Sequence, residues 1–432
     1  MELYVKEHPL REQLLLEVHA RPFEAMAAPE RGSHIAILTG ELAEDEAAEH
    51  LAELCQQLDS PPPTPDVKHY SQDLGPFRLR WEQHTEFCTY TFIQSGAFDD
   101  PFENPVIELV PKEWLVTLPG EALAAVHFAL EPKDAPERDD ENLAQLFKGD
   151  LIVGAHVSGG DGQVWSDLRM HDDRFSRVLI RDRGMSQNQA GRLVQRILEV
   201  NSYRLLALLA LPLARDLSPR IREVDGALAK ITQTMADTNP NAGEDSGERA
   251  LLEELSGLAS EVEKIGGLTS YRFSAAEAYW DIVRRRLGEL RQERIKGLQT
   301  FSEFLDRRLA PAMNSVRSTA ERIDSLSQRM SRVGSLIRAR VNVQIEEQNR
   351  DLLASMDRRA HMQFRLQRIV EGLSVVAITY YMASMVKFIL TAMADVDVPV
   401  NPTLGTGISV PIIGVLIWWA LRRAQKSLGH DE

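Results

Sequence analysis

Cysteine is scarce: Cys55 and Cys88 are the only two among 432 residues, too few for a disulfide framework or a cysteine-based zinc site. Positive charge is in deficit. With 49 Lys+Arg against 64 Asp+Glu the formal net charge is −15, which argues against a chain that binds nucleic acid as a whole. No HExxH pair is present, no Ser-His-Asp arrangement stands out, and no Gly-rich loop is followed by Lys-Ser/Thr. The run Gly159–Gly162 (GGDG) separates two strand-like segments and reads as a turn. The opening residues contain no apolar h-region, so synthesis in the cytosol without a secretory leader is expected. Hydrophobic residues at 44% and charged residues at 26% exclude both wholesale disorder and a polytopic membrane protein.

What the chain does have is concentrated at its C-terminus. Residues Ile369–Leu390 and Leu404–Leu421 are two nearly uninterrupted apolar runs, of about the 20 residues that a helix needs to cross roughly 30 Å of hydrocarbon. Trp418 and Trp419 close the second run, where an interfacial aromatic belt is expected. Pro411 and Gly414 are tolerable in a span that has a neighbour to pack on. Glu371 and Lys387 fall near the ends of the first run and read as interfacial anchors. Arg358, Arg359, Arg365 and Arg368 precede the first run, and Arg422, Arg423 and Lys426 follow the second. The connection carries Asp395 and Asp397 and no Lys or Arg. The positive flanks therefore place both long ends in the cytoplasm and the short acidic loop outside.

Charge is unevenly spread. Residues 271–370 hold 20 Lys+Arg against 12 Asp+Glu, so the acidic excess lies in the front of the chain. Helical periodicity runs from about Ser274 towards the first apolar run: Trp280, Val283, Leu287 and Leu290, then Phe301, Phe304 and Leu305, then Ile323, Leu326, Met330, Val333, Ile337, Val341 and Ile345. These are the spacings of a coiled-coil seam. Pro311 should kink or break it. Upstream, residues 186–211 read as a helix ending at Pro212, whose apolar tail LLALLAL is too short to span and should be buried in protein. Residues 221–238 and 249–268 read as a helical hairpin around an exposed loop.

Residues 34 to 182 carry strand signals: HIAILTG, DVKHYSQ, FRLRWEQ, EFCTYTFIQ, LIVGAHVS, QVWSDLRMH and RFSRVLIRD, several alternating in polarity. A helix lies between Glu41 and Leu58. His171, Asp172 and Asp173 at a strand end read as turn chemistry, with no metal site assigned. One early stretch gathers His8-Pro9-Leu10-Arg11, Glu17-Val18-His19-Ala20-Arg21-Pro22-Phe23 and Pro29-Glu30-Arg31. It reads as a helix followed by a clasp to the sheet. Its ligand-binding alternative uses His19, Arg21 and Arg31.

The HPLR, EVHARPF and PERGSHIAILTGE segments resemble the opening of a bacterial family of membrane-anchored proteins known as domain of unknown function (DUF) 3422, over most of the chain. The resemblance implies a location and an architecture, with no activity attached. The layout is also remotely similar to CorA-type magnesium channels. Those need Gly-Met-Asn at the outer end of the first span, and this chain has Tyr381-Met382-Ala383-Ser384-Met385 nearby instead.

The expected fold is an α+β cytoplasmic domain (residues 1–184), a long α-helical and coiled-coil region (185–368), a transmembrane helical hairpin (369–421) and a cytoplasmic tail (422–432). The favoured function is a non-enzymatic scaffold at the bacterial inner membrane. Its partners are the lipid bilayer, further copies of itself and an unidentified cytoplasmic protein, with no nucleic acid and no cofactor. Two other classes are consistent: a CorA-like channel with Ser374, Tyr381 and Ser384 along the pore, and a membrane-tethered sensor or enzyme. No catalytic residue is assigned.

Overall fold

In a computed structural model the chain is described over residues 5, 7–12, 14–15, 22–40, 44–64, 67–149, 151–237, 245–394 and 401–428. It divides into two compact units, residues 1–239 with 249–334, and residues 240–248 with 335–432. An N-terminal α/β sheet region is followed by a long helical region.

The first unit is organised by one sheet. Its strands are β1 (Glu30–Leu38), β2 (His69–Asp73), β3 (Arg78–Gln83), β4 (Phe87–Ser95), β5 (Glu121–Glu131), β6 (Val153–Val157), β7 (Gly162–Ser166), β8 (Ser176–Asp182) and β9 (Glu293–Arg294). They lie in the order β2-β3-β4-β1-β5-β8-β7-β6-β9. Only β5 and β8 run parallel; every other pair is antiparallel. β1 to β4 and β6 to β8 fall on the segments whose polarity alternates. The Gly159–Gly162 run joins β6 to β7 as a turn.

One face of the β3-β4-β1 half is apolar. Ile35, Ile37, Leu79, Trp81, Tyr90 and Phe92 pack with Leu51 and Leu54 of α1 (Glu44–Gln57) and with Trp114 of α2 (Lys112–Val116). Beyond β5, Leu143 and Phe147 of α3 (Asp140–Phe147) form a second core with Ala129, Trp165 and Leu179. Near the ends of the parallel pair, Arg181 and Glu131 are buried together with nitrogen and oxygen 2.8 Å apart. Arg138 adds a 2.6 Å bond to the same carboxylate, so the buried charges are matched.

The helices depart from the sequence-based expectation at three points. α4 (Gln187–Leu208) ends before Pro212, and α5 (Ala210–Asp237) takes that proline into its first turn. There the missing N–H would have had no intrahelical partner anyway, so the proline starts a helix instead of ending one. The apolar tail is buried as expected, with Leu206, Ala207 and Ala210 inaccessible to solvent.

The second departure follows α6 (Asp245–Glu289). The helical run is broken, because the chain leaves it to add β9 to the sheet edge beside β6 before entering α7 (Phe301–Arg308). A Thr300–Glu303 capping box starts α7. α8 (Ala310–Ala394) follows, with Pro311 in its first turn, so the break expected at Pro311 falls immediately before it. α9 (Pro402–Leu428) completes the chain.

The third departure is the seam. Ile323, Leu326, Met330 and Ile337 are buried within this single chain, whereas Ile345 is exposed. Arg220–Glu261 links α5 to α6, Arg317–Glu277 links α6 to α8 at 2.7 Å, and Arg329–Asp225 links α5 to α8 at 2.5 Å. The heptad-like spacing through Met330 thus belongs to an intramolecular bundle, where the same period is needed. The loop read after residue 238 lies, over residues 238–244, outside the described residues.

Candidate functional site

The face of the sheet opposite the α1 core is polar, and register explains why. His34 on β1 pairs with Thr91 on β4, and Thr91 pairs with Arg80 on β3. Two residues along, Ala36 pairs with Thr89, and Thr89 pairs with Glu82. Side chains alternate across a strand, so these two rows share the face that Ile35, Ile37, Leu79, Trp81 and Tyr90 do not occupy.

α4 covers those rows. Its start is fixed by a capping box in which Ser186 Oγ accepts from Gln189 N–H and Gln189 Oε1 accepts from Ser186 N–H. From there Gln195, Leu198, Glu199, Ser202 and Tyr203 are presented to the sheet, and Arg286 joins them from α6. The three elements line an open cavity of about 220 Å³.

Each wall has distinct chemistry. His34 is buried, with Nδ1 2.8 Å from Thr91 Oγ1 and Nε2 3.0 Å from Ser202 Oγ. Burial, followed by the nearby Arg80 charge, pulls its pKa down to about 3. It is a neutral bridge with both nitrogens engaged and is too weak a base for proton transfer near neutral pH. Arg80, 6% exposed, donates through Nη2 to Pro22 O at 3.1 Å and to Glu82 at 2.9 Å. Its Nε is buried with no partner among the described residues. Glu199 is held by Arg286 and accepts from Gln195 at 3.0 Å. Arg286 also bonds Glu289 at 3.0 Å. His84 stacks on Phe87 with ring centroids 4.2 Å apart, and Tyr203 meets the edge of Phe87 at 5.8 Å.

A second group resembles hydrolytic machinery in its residue types alone. Ser33 Oγ lies 2.9 Å from His127 Nδ1, and His127 Nε2 lies 3.8 Å from Asp173. Ser33 is 0% exposed and its oxygen accepts the main-chain N–H of Ile107, while His127 is stacked flat on Phe175. A nucleophile needs room for the group it attacks. This one has none, and the trio locks β1 to β5 and the segment before β8. Close by, His171 and Asp167 approach to 2.9 Å. Among the described residues no group of three His, Cys, Asp or Glu is arranged to hold a metal ion.

His19 and Arg21 lie outside the described residues. Arg31 donates to Glu103 O at 2.6 Å and to Gln94 at 3.2 Å, holding a loop away from the cavity. Ser374 and Ser384 donate to the carbonyls of Val370 and Tyr380 on their own helix, each at 2.9 Å, and Tyr381 is exposed. Among the described residues, the early motif touches the cavity lining through Pro22 O, which accepts from Arg80. The cavity residues carried one signal in sequence, namely polar side chains alternating with core residues in RLRWEQ and HIAIL.

The family described as protein of unknown function (DUF3422) matches residues 6–428. No curated protein and no solved structure matches. The match carries the family and does not extend to CorA-type channels.

Proposed function

We propose that this chain, which belongs to the DUF3422 family, is a two-span inner-membrane anchor that presents a non-enzymatic interaction domain to the cytoplasm. The observation that carries this reading is the distribution of burial among apolar helices. Among the described residues, three helical stretches are long and apolar enough to cross a bilayer: Gln187–Asp237, Phe301–Ala394 and Pro402–Ala420. In the first, half of the apolar window is buried inside the protein; in the other two the share is 6% and 0%. Leu373, Val376, Phe388, Val415 and Trp419 are all exposed, an apolar surface too extensive for water.

Further support comes from the ends of these helices. Gly405 packs where a Cβ would lie 2.7 Å from Leu390, and Gly414 lies near Thr379, as in an antiparallel pair of spans with small residues at the contact. Arg422 and Arg423 stack over Trp418 and Trp419 at 4.6 and 5.2 Å, an arrangement suited to the headgroup layer on the cytoplasmic side. Self-association follows from the exposed side chains Ile345, Leu352 and Met356, spaced at seven and four on α8.

Fractionation tests the anchor. The full chain is expected in the membrane pellet and resistant to alkaline carbonate, while a chain ending at Arg368 is expected in the supernatant. Full-length protein extracted by carbonate would refute the reading.

A further inference from the structure

Over residues 345–368, α8 carries a row of apolar side chains open to solvent. Ile345, Leu352, Met356 and Leu366 are between 43% and 64% exposed. With Asn349, Arg359 and Gln363 they follow one another at alternating spacings of four and three, the a/d seam of a coiled coil. Charge avoids that seam. Of the nine charged residues between Ile345 and Ile369, all but Glu346 and Arg359 occupy the outer b, c and f positions of the heptad. Asp357 and His361 pair with each other there, at 3.6 Å. Apart from Glu346, the flanking e and g positions are uncharged too, with Gln348, Leu353, Ser355, Ala360, Met362 and Gln367.

We infer that this face pairs with the same face of a second copy, as a parallel, in-register, two-stranded coiled coil on the cytoplasmic side of the first span. The charge pattern selects that occupant. A parallel pair in register sets each residue beside its own copy, so charges on the seam would oppose like charges. Apolar side chains and amides tolerate such matching. An amide has both donors and acceptors, so Asn349 and Gln363 can each bond their own copy. An Asn at an a position also fixes register and strand number, at some cost in stability. A different protein would be chosen through charges at e and g, and this face offers Glu346 alone. Arg359 is the exception within the seam; its long stem can lie along the interface while the guanidinium reaches solvent. Direction rests on the two-span anchor. Because α8 runs on into the first span, two copies in one bilayer arrive parallel and at equal depth, and confinement there raises their effective concentration.

The test is disulfide cross-linking of the full chain in native membranes. Single cysteines are placed on the seam by Asn349→Cys, Leu352→Cys and Met356→Cys, and on the outer face by Arg350→Cys, Ala354→Cys and His361→Cys. Cys55 and Cys88 are buried, so the parent supplies the background. A disulfide needs Cβ atoms close together, so mild copper-phenanthroline oxidation should give about tenfold more covalent dimer at the seam positions than at the outer ones. Added to Leu352→Cys, Asn349→Asp should lower the dimer yield about tenfold, since it sets like charges opposite each other with no change of size. Coexpression with an Asn349→Lys, Leu352→Cys chain should restore the yield as a mixed dimer. The inference is overturned if no seam position cross-links, if the outer positions cross-link as well as the seam, if Asn349→Asp leaves the yield unchanged, or if Asn349→Lys fails to restore it. Alkaline carbonate reads the anchor separately on the same membranes. Release of the protein would refute the anchor, whereas carbonate-resistant protein without seam cross-links would refute the pairing alone.

Discussion

Gly191 lies directly beneath the main-chain carbonyl of Glu24, so close that a Cβ at position 191 would sit 1.7 Å from the oxygen. The contact is one of several that lay the extended segment after the early motif across the start of α4. Met26 N–H donates to Gln187 O at 3.1 Å, and Arg192 stacks over Phe23 at 4.8 Å. Pro22 O completes the strap by accepting from Arg80.

Gly191→Ala is therefore expected to destabilise the protein by about 1–3 kcal/mol, because the backbone of Glu24 must move to admit the methyl group. Urea denaturation followed by far-UV circular dichroism measures this. An unchanged midpoint would mean that the strap is not held against α4 in solution.

Acid should weaken the fold through its buried histidines. The pKa of His34 is pulled down to about 3, and that of His127 to about 4, in both cases chiefly by burial. Unfolded histidine titrates near 6.5, so between that pH and the folded values the unfolded chain binds more protons, and stability rises with pH. Each histidine contributes a slope of up to about 1.4 kcal/mol per pH unit in that window. Denaturation midpoints from pH 7 to 4 should fall steadily in the parent, and less steeply in His34→Gln. Equal slopes would show that His34 is protonated in the native state.

Much of the architecture was legible because its physical signals are local. Alternating polarity located β1 to β4 and β6 to β8, and uninterrupted hydrophobicity located the apolar ends of α8 and α9. β5 escaped because EALAAVHFALE is rich in helix formers; its place between β1 and β8, where Val126, Phe128 and Leu130 are buried, overrides that propensity. β9 escaped because two residues, Glu293–Arg294, carry no periodicity at all. The cavity was half visible. His34, Arg80 and Glu82 each interrupt an apolar pattern, but only the pairing register sets His34, Thr91 and Arg80 in one row. The helical seam was found and its partner was not, since a heptad-like spacing is the same whether the neighbour is another copy or another helix of the same chain.

That ambiguity yields a paired prediction. Met330→Glu places a charge in the interior of the bundle, where Met330 is buried, and should lower the melting temperature by several degrees. Leu352→Glu with Met356→Glu alters exposed positions, and should leave melting almost unchanged while reducing the mass of the detergent-solubilised assembly. Light scattering and calorimetry on both variants separate the two effects. A drop in mass from Met330→Glu with no change in melting would return the seam to the role of an intermolecular coiled coil.

The central claim is that the chain enters and leaves the membrane with both ends in the cytoplasm, and labelling with an impermeant thiol reagent in intact cells addresses it most directly. The native background is quiet, because Cys55 and Cys88 are both buried. Burial raises both thiol pKa values, that of Cys88 to about 11. Single cysteines are placed at Asp397 in the acidic connection and at Gly429 in the tail. The account predicts that Asp397→Cys labels in cells whose outer membrane alone is permeable, and that Gly429→Cys labels only after lysis. Labelling of Gly429→Cys in intact cells with protection of Asp397→Cys would contradict it.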